Sequence, residues 1–280
     1  MSERVKMILM EEHQHLPDAN RLSVLTSTIL LIYALGLFIR VPAGDVSLQL
    51  PGIFVVIPLR FGALLTLLSG LLAAAGTEWL LYDHPERGGQ MTWHHGLLPA
   101  LTALVIGFPL SSISAGPQWW AVFAFGSGLL VIVFAAEYIV VDLSDANHPL
   151  ATMVLTAISF ALLLVITITL KAVGTRLYLL LPGLVIPVAL VSLRTLYLRL
   201  GGRWCIVWSI AIALSTGQIA LGLHYWPLRP LSYGLLVLGP AYALTMAAGA
   251  IEEERSWRTL WIEPVVMLAV IWGIALFIVG

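Results

Sequence analysis

Glu78, Glu137, Arg194 and Glu252 each stand near the end of a long apolar run, spaced by 59, 57 and 58 residues. Holding an ionised side chain at the edge of a hydrocarbon core is costly, so a regular series of such groups points to a bound proton, cation or counter-ion. Glu263 opens the last apolar run at the same expected depth. A buried carboxylate neutralises itself by taking up a proton or a cation, and a guanidinium beside it favours the ionised form. The expectation is an inward-facing polar cavity built from Glu78, Glu137, Arg194 and Glu263. In it, Glu78 and Glu137 bind or relay the cation and Arg194 sets their charge state. Glu252 is continued by Glu253 and Glu254, and an acidic run at a span end reads as a solvated helix terminus.

A second group of residues is rich in metal-ligand chemistry. Asp83 and His84, the pair His94-His95, and Asp142, Asp145 and His148 fall in two connecting segments on one expected side. Imidazole and carboxylate together suit zinc or iron. The spacing fixes no ligand set, so the metal stays unassigned and the residues name no cofactor. Membrane di-iron oxygenases need several histidine boxes, whereas this chain has one adjacent pair. Glu253-Glu254-Arg255-Ser256-Trp257-Arg258 fits the EExxxR pattern of CAAX-type intramembrane proteases, but no histidine follows it to complete that site. Gly126-Ser127-Gly128 lacks the GxSG form of rhomboid-type serine proteases. The lone Cys205 excludes an intramolecular disulfide and a thiolate cluster. No residue is assigned a catalytic role, and the balance favours a protein that is not an enzyme.

The elements that would position these groups follow from composition. Of 280 residues, 60% are hydrophobic and 10% charged, where soluble domains carry about 25% charged residues. Nine apolar runs are long enough to cross a bilayer, at about 22–40, 60–82, 97–115, 119–141, 149–170, 177–198, 204–226, 231–251 and 261–279. They are continuous rather than alternating, which predicts helices and not an outer-membrane barrel. The expected class is an all-α polytopic membrane protein with a tail at 1–21 and a single transmembrane domain over 22–280. In segment 41–59, Val46, Leu48 and Leu50 alternate before Pro51-Gly52, which predicts a short β-hairpin-like loop.

The runs also pair. Ser69-Gly70-Leu71-Leu72 leads to Glu78 as Ser127-Gly128-Leu129-Leu130 leads to Glu137, and Pro182 and Pro240 each precede the later charge by twelve residues. The pattern predicts one leading helix and four tandem helical hairpins, a parallel repeat of about 58 residues. With the N-terminus placed inside, nine Lys and Arg fall on the inner side and five on the outer, so the positive-inside rule predicts a cytoplasmic N-terminus and an extracytoplasmic C-terminus. Fourteen of the fifteen acids fall on that inner side as well. Trp119, Trp120, Tyr178, Tyr225 and Trp226 are expected in an outer interfacial belt. The net charge of −1 gives no argument for nucleic acid; the expected partners are the lipid bilayer, partner subunits or further copies of the chain.

Glu78-Trp79-Leu80-Leu81 with His84-Pro85, and Leu98-Pro99-Ala100-Leu101, resemble an uncharacterised family of bacterial multi-pass membrane proteins over about half the chain. The resemblance implies a bacterial inner-membrane location and no assigned activity. Three functions are compatible with the residues. The leading one is transport or permeation of a proton or small cationic solute. The others are a non-catalytic scaffold or assembly subunit, and a membrane-embedded lipid-modifying enzyme or metalloenzyme using the His and Asp segments.

Overall fold

The computed structural model describes residues 17–39, 44–50, 53–59, 61–82, 84, 93–254 and 257–279. Among them run nine α-helices: α1 (Ala19–Phe38), α2 (Phe61–Leu80), α3 (Leu97–Ser112), α4 (Pro117–Val140), α5 (His148–Ala172), α6 (Leu177–Arg199), α7 (Ile206–His224), α8 (Pro230–Glu252) and α9 (Trp257–Val279). A 3-10 turn, Trp93–Gly96, leads directly into α3. Helices α1, α2, α3 with its leading turn, and α4 to α8 make eight segments long and apolar enough to cross a membrane. Helix α9 is apolar from Trp261 to Phe277. This is an integral membrane protein of the all-α, multi-span class expected from its composition.

Between α1 and α2, strands β1 (Gly44–Leu50) and β2 (Ile53–Leu59) pair antiparallel, with Gly44 opposite Leu59 and Leu50 opposite Ile53. The Pro51-Gly52 pair expected to turn this hairpin lies outside the described residues, as does Asp83.

Local chemistry sets the helix starts and ends. Asp18 caps α1, its Oδ1 accepting the backbone N–H of Asn20 at 2.9 Å. Pro117 and Pro230 open α4 and α8, where their missing N–H leaves no bond unmade. The segment expected at 97–115 closes at Ser112, because Ile113 turns extended. Hydroxyls inside the helices bond back to their own chain: Thr77 to the Ala73 carbonyl, Thr102 to Leu98, Ser159 to Leu155 and Thr245 to Ala241, all at 2.7–2.8 Å. That lets a polar side chain sit in an apolar helix without an unmet hydrogen bond.

The chain divides into two compact units, Met1–His148 and Pro149–Gly280. In the first, α1 packs on α2, α3 and α4, α2 on α3, and α3 on α4. Its core includes Ile29, Tyr33, Ala103, Trp119, Leu130 and Phe134. The Tyr33 hydroxyl donates to the Ala103 carbonyl at 2.6 Å. Trp119 is fully buried rather than in an interfacial belt, and its Nε1 donates to the Leu110 carbonyl at 3.1 Å. That carbonyl lies in the last turn of α3 and has no partner within its own helix, so it draws the indole inward. Trp120 next to it is 59% exposed.

In the second unit α6 packs on α7 and α8, α7 on α8, and α8 on α9. Helix α8 is the most enclosed, and its buried positions are mostly small residues, among them Gly239, Ala241, Ala247 and Ala248. Small side chains let helix backbones approach where no hydrophobic force drives them together. The Phe160 and Tyr242 rings meet edge to face at 5.1 Å, and Lys171 Nζ donates to the His224 carbonyl at 2.9 Å.

Candidate functional site

The first unit contains a fully buried acid. Glu137 lies one turn before the end of α4 with none of its surface exposed. A carboxylate there has lost all hydration and needs a polar partner. The partner is His95, in the turn before α3: its Nδ1 lies 2.9 Å from Glu137 Oε2. His95 is itself buried, 6% exposed.

The turn is held by backbone fit. Gly96 follows His95 at the N-cap of α3, and a Cβ at this position would stand 2.9 Å from the Ala74 carbonyl oxygen and 3.0 Å from its Cα. Only glycine lets the turn rest directly on the α2 backbone, which fixes where His95 points. Around the pair lie further rings. The His94 and His95 centroids are 4.3 Å apart, and Trp93 meets His94 edge-on at 6.1 Å. Tyr138, the residue after Glu137, meets the His84 ring at 4.6 Å in an edge arrangement. His84 and His94 are buried.

Two of the loop acids hold backbone turns. Asp142 Oδ1 accepts the Ser144 amide and hydroxyl at 2.8 and 2.6 Å, and Asp145 Oδ1 accepts the Asn147 amide at 2.7 Å. These are Asx turns. The His148 amide donates to the Asp145 carbonyl at 3.0 Å, and α5 begins at His148. Among the described residues, no three His, Cys, Asp or Glu side chains group to hold a metal ion. Glu78, the counterpart of Glu137 in the sequence pattern, is exposed on α2.

The second unit handles its charges differently. Arg194 is buried, 3% exposed, and its guanidinium carbon lies 5.5 Å from the centre of the Tyr197 ring. One turn on, Arg199 forks onto Glu253: Nε meets Oε1, and Nη2 meets Oε2 at 3.1 Å. Arg203 Nη2 and Trp208 Nε1 donate to the two oxygens of Glu252 at 3.0 and 2.9 Å. Burial pushes the Cys205 thiol up, the Glu252 carboxylate adds to that shift, and Arg203 opposes it. Glu263 is exposed on α9.

The sequence named Glu137 and His95 but placed them in different groups, one in a cavity and one in a loop cluster. It counted Arg199 and Arg203 only toward the Lys and Arg bias and gave Trp208 no role. Glu252, read as a solvated terminus, is a bonded partner of two side chains from other segments.

The family model described as "Protein of unknown function (DUF5656)" matches residues 41–278. The chain belongs to that family. Its match runs from the β-hairpin to α9 and so takes in both the Glu137–His95 pair and the Arg199–Glu253 fork. No curated protein and no solved structure matches the chain.

Proposed function

We propose that this protein moves a proton or a small cation across the bilayer, with Glu137 and His95 as the binding pair. The observation that carries this reading is the acid itself: a carboxylate with no exposed surface, hydrogen-bonded to a buried imidazole, inside an apolar helical unit. Ionisable groups in such surroundings are expensive, and ion and proton pathways are where membrane proteins keep them. In this reading the protein sits in a bacterial inner membrane with its N-terminus in the cytoplasm, as the Lys and Arg distribution favours. In that orientation the pair lies in the cytoplasmic end of α4, and Glu78, exposed on α2, is the acid that would relay the cation toward it.

The experiment is flux into proteoliposomes under an imposed ion or pH gradient. Glu137→Gln is expected to lower it by about tenfold or more, and Glu78→Gln by less. Flux equal to wild type in a correctly folded Glu137→Gln variant would remove the transport reading and leave the scaffold role standing. That role would then be tested by co-purification of a stoichiometric partner.

A further inference from the structure

We infer that the second unit binds a phosphate group at the end opposite its acids, with Lys171 at the centre of the site. No Asp or Glu occurs between residues 149 and 251, so the acids of this unit are Glu252, Glu253 and Glu254 at the end of α8 and Glu263 in α9. Lys171 lies in the last turn of α5, and Arg176 and Arg229 stand at the N-caps of α6 and α8. The Arg199–Glu253 fork ties the far ends of α6 and α8 together, so their starts share the near end. The 23 residues of α8 keep the two ends roughly 35 Å apart. One end thus holds acids bonded to arginines, while the other holds three basic side chains and no Asp or Glu of the same unit.

The Lys171 ammonium is held in place by neutral groups. Nζ donates to the His224 carbonyl at the end of α7 at 2.9 Å, and lies 4.8 Å from the centre of the Tyr233 ring in the first turn of α8. Tyr233 is pinned in turn, its hydroxyl donating to the Ala220 carbonyl at 3.1 Å. A carbonyl and a ring face orient an ammonium, but they bring no negative charge to balance it. Two further polar atoms belong to the same helix ends. Ser232 Oγ, on a residue with no exposed surface, and His224 Nδ1 are buried and, among the described residues, have no hydrogen-bond partner. A hydroxyl, an imidazole N–H and an ammonium can all donate, which suits a ligand made of acceptor oxygens. The free amides in the first turn of a helix favour the same charge. Arg176 and Arg229 are exposed, and their planar forks match phosphate oxygens. Tyr225 and Trp226 follow His224 and are 77% and 62% exposed; such rings mark headgroup depth in a membrane protein. Phosphate at that depth comes from an anionic lipid or from solution.

The test is binding of phosphatidylglycerol, phosphatidylcholine and inorganic phosphate to the purified protein in a maltoside detergent. Phosphatidylglycerol is expected to bind in preference to phosphatidylcholine, whose own ammonium offsets its phosphate. Lys171→Gln should weaken that binding by about tenfold, and Lys171→Arg, which keeps the charge, should restore most of it. The double variant Arg176→Gln with Arg229→Gln alters only exposed side chains; it should also bind more weakly, and it decides the matter if Lys171→Gln does not fold. Phosphatidylglycerol binding that these variants weaken supports the site with a lipid as its source. Binding of inorganic phosphate without a preference for phosphatidylglycerol, weakened in the same variants, supports it with a free anion as the source. Oleate, an anionic lipid lacking phosphate, would overturn the assignment by binding as tightly with the same dependence on Lys171. The site is also overturned if wild type shows neither the lipid preference nor phosphate binding, or if the folded variants bind as wild type does.

Discussion

The first unit keeps its buried acid beside an imidazole, whereas the second keeps Glu252 and Glu253 beside guanidiniums and an indole. Glu137 and His95 are 0% and 6% exposed. The side chains of Arg199 and Glu253 are 17% and 22% exposed, and those of Arg203 and Glu252 are 64% and 25%. A guanidinium stays charged at every pH a cell meets, so a pair with arginine is a fixed ionic contact. An imidazole changes protonation readily, so a pair with histidine can gain or lose a charge. The described residues therefore carry two kinds of polar contact: a buried one between an acid and an imidazole, and a partly exposed one between acids and guanidiniums.

The largest effect should come from splitting the buried pair. His95→Ala leaves Glu137 enclosed without its imidazole, and removing one partner of a buried pair costs about 3–5 kcal/mol. A fall in the unfolding midpoint in detergent measures it. A loss smaller than that of Arg199→Ala would erase the contrast between the units. Arg199→Ala should cost about 1.5–3 kcal/mol, since it removes charge-assisted hydrogen bonds to Glu253. Arg203→Ala should cost less than about 1 kcal/mol, and the loss should shrink further in high salt, because the pair is largely exposed.

Opposite in sign is Glu254, which follows the C-cap of α8 at φ +53. Glu254→Gly should stabilise the second unit by about 0.5–1 kcal/mol, because glycine adopts that conformation without strain. The smallest effect is chemical. Glu252 raises the Cys205 thiol and Arg203 lowers it. Glu252→Gln should therefore increase the thiolate fraction and speed alkylation by iodoacetamide at mildly alkaline pH, and Arg203→Ala should slow it. Equal rates in both variants would separate Cys205 from the ionic contact.

The helical class and eight of the nine expected spans were legible because both depend on composition and run length, which the chain carries locally. Glu137 was legible as a costly acid for the same reason. Its bond to His95 was not, since 42 residues separate the two and no spacing rule links them. The same holds for Arg199 with Glu253, 54 residues apart. Glu78 shows the limit of arguing from pattern: it matches Glu137 in sequence neighbours, yet one is exposed and the other enclosed. Whether an acid at a helix end meets lipid, water or a neighbour depends on how that helix is rotated, and that is set by packing against others. Trp119 makes the same point from the aromatic side, because an open carbonyl on α3 turned an expected surface ring into a core one.

Gly96 has no side chain, yet it governs how much sequence change the site can absorb. A methyl group at Gly128 would touch nothing within 4 Å, whereas at Gly96 it would press on the main chain of α2, which has no rotamer to yield. The two glycines look alike in the chain, but a single carbon atom is harmless at one and shifts an entire turn at the other. The stretch of α2 opposite is drawn into the same constraint at Ala74, a residue with no chemistry of its own. Reshaping this protein for another purpose would have to leave that backbone seat alone, even where every ionisable residue was exchanged.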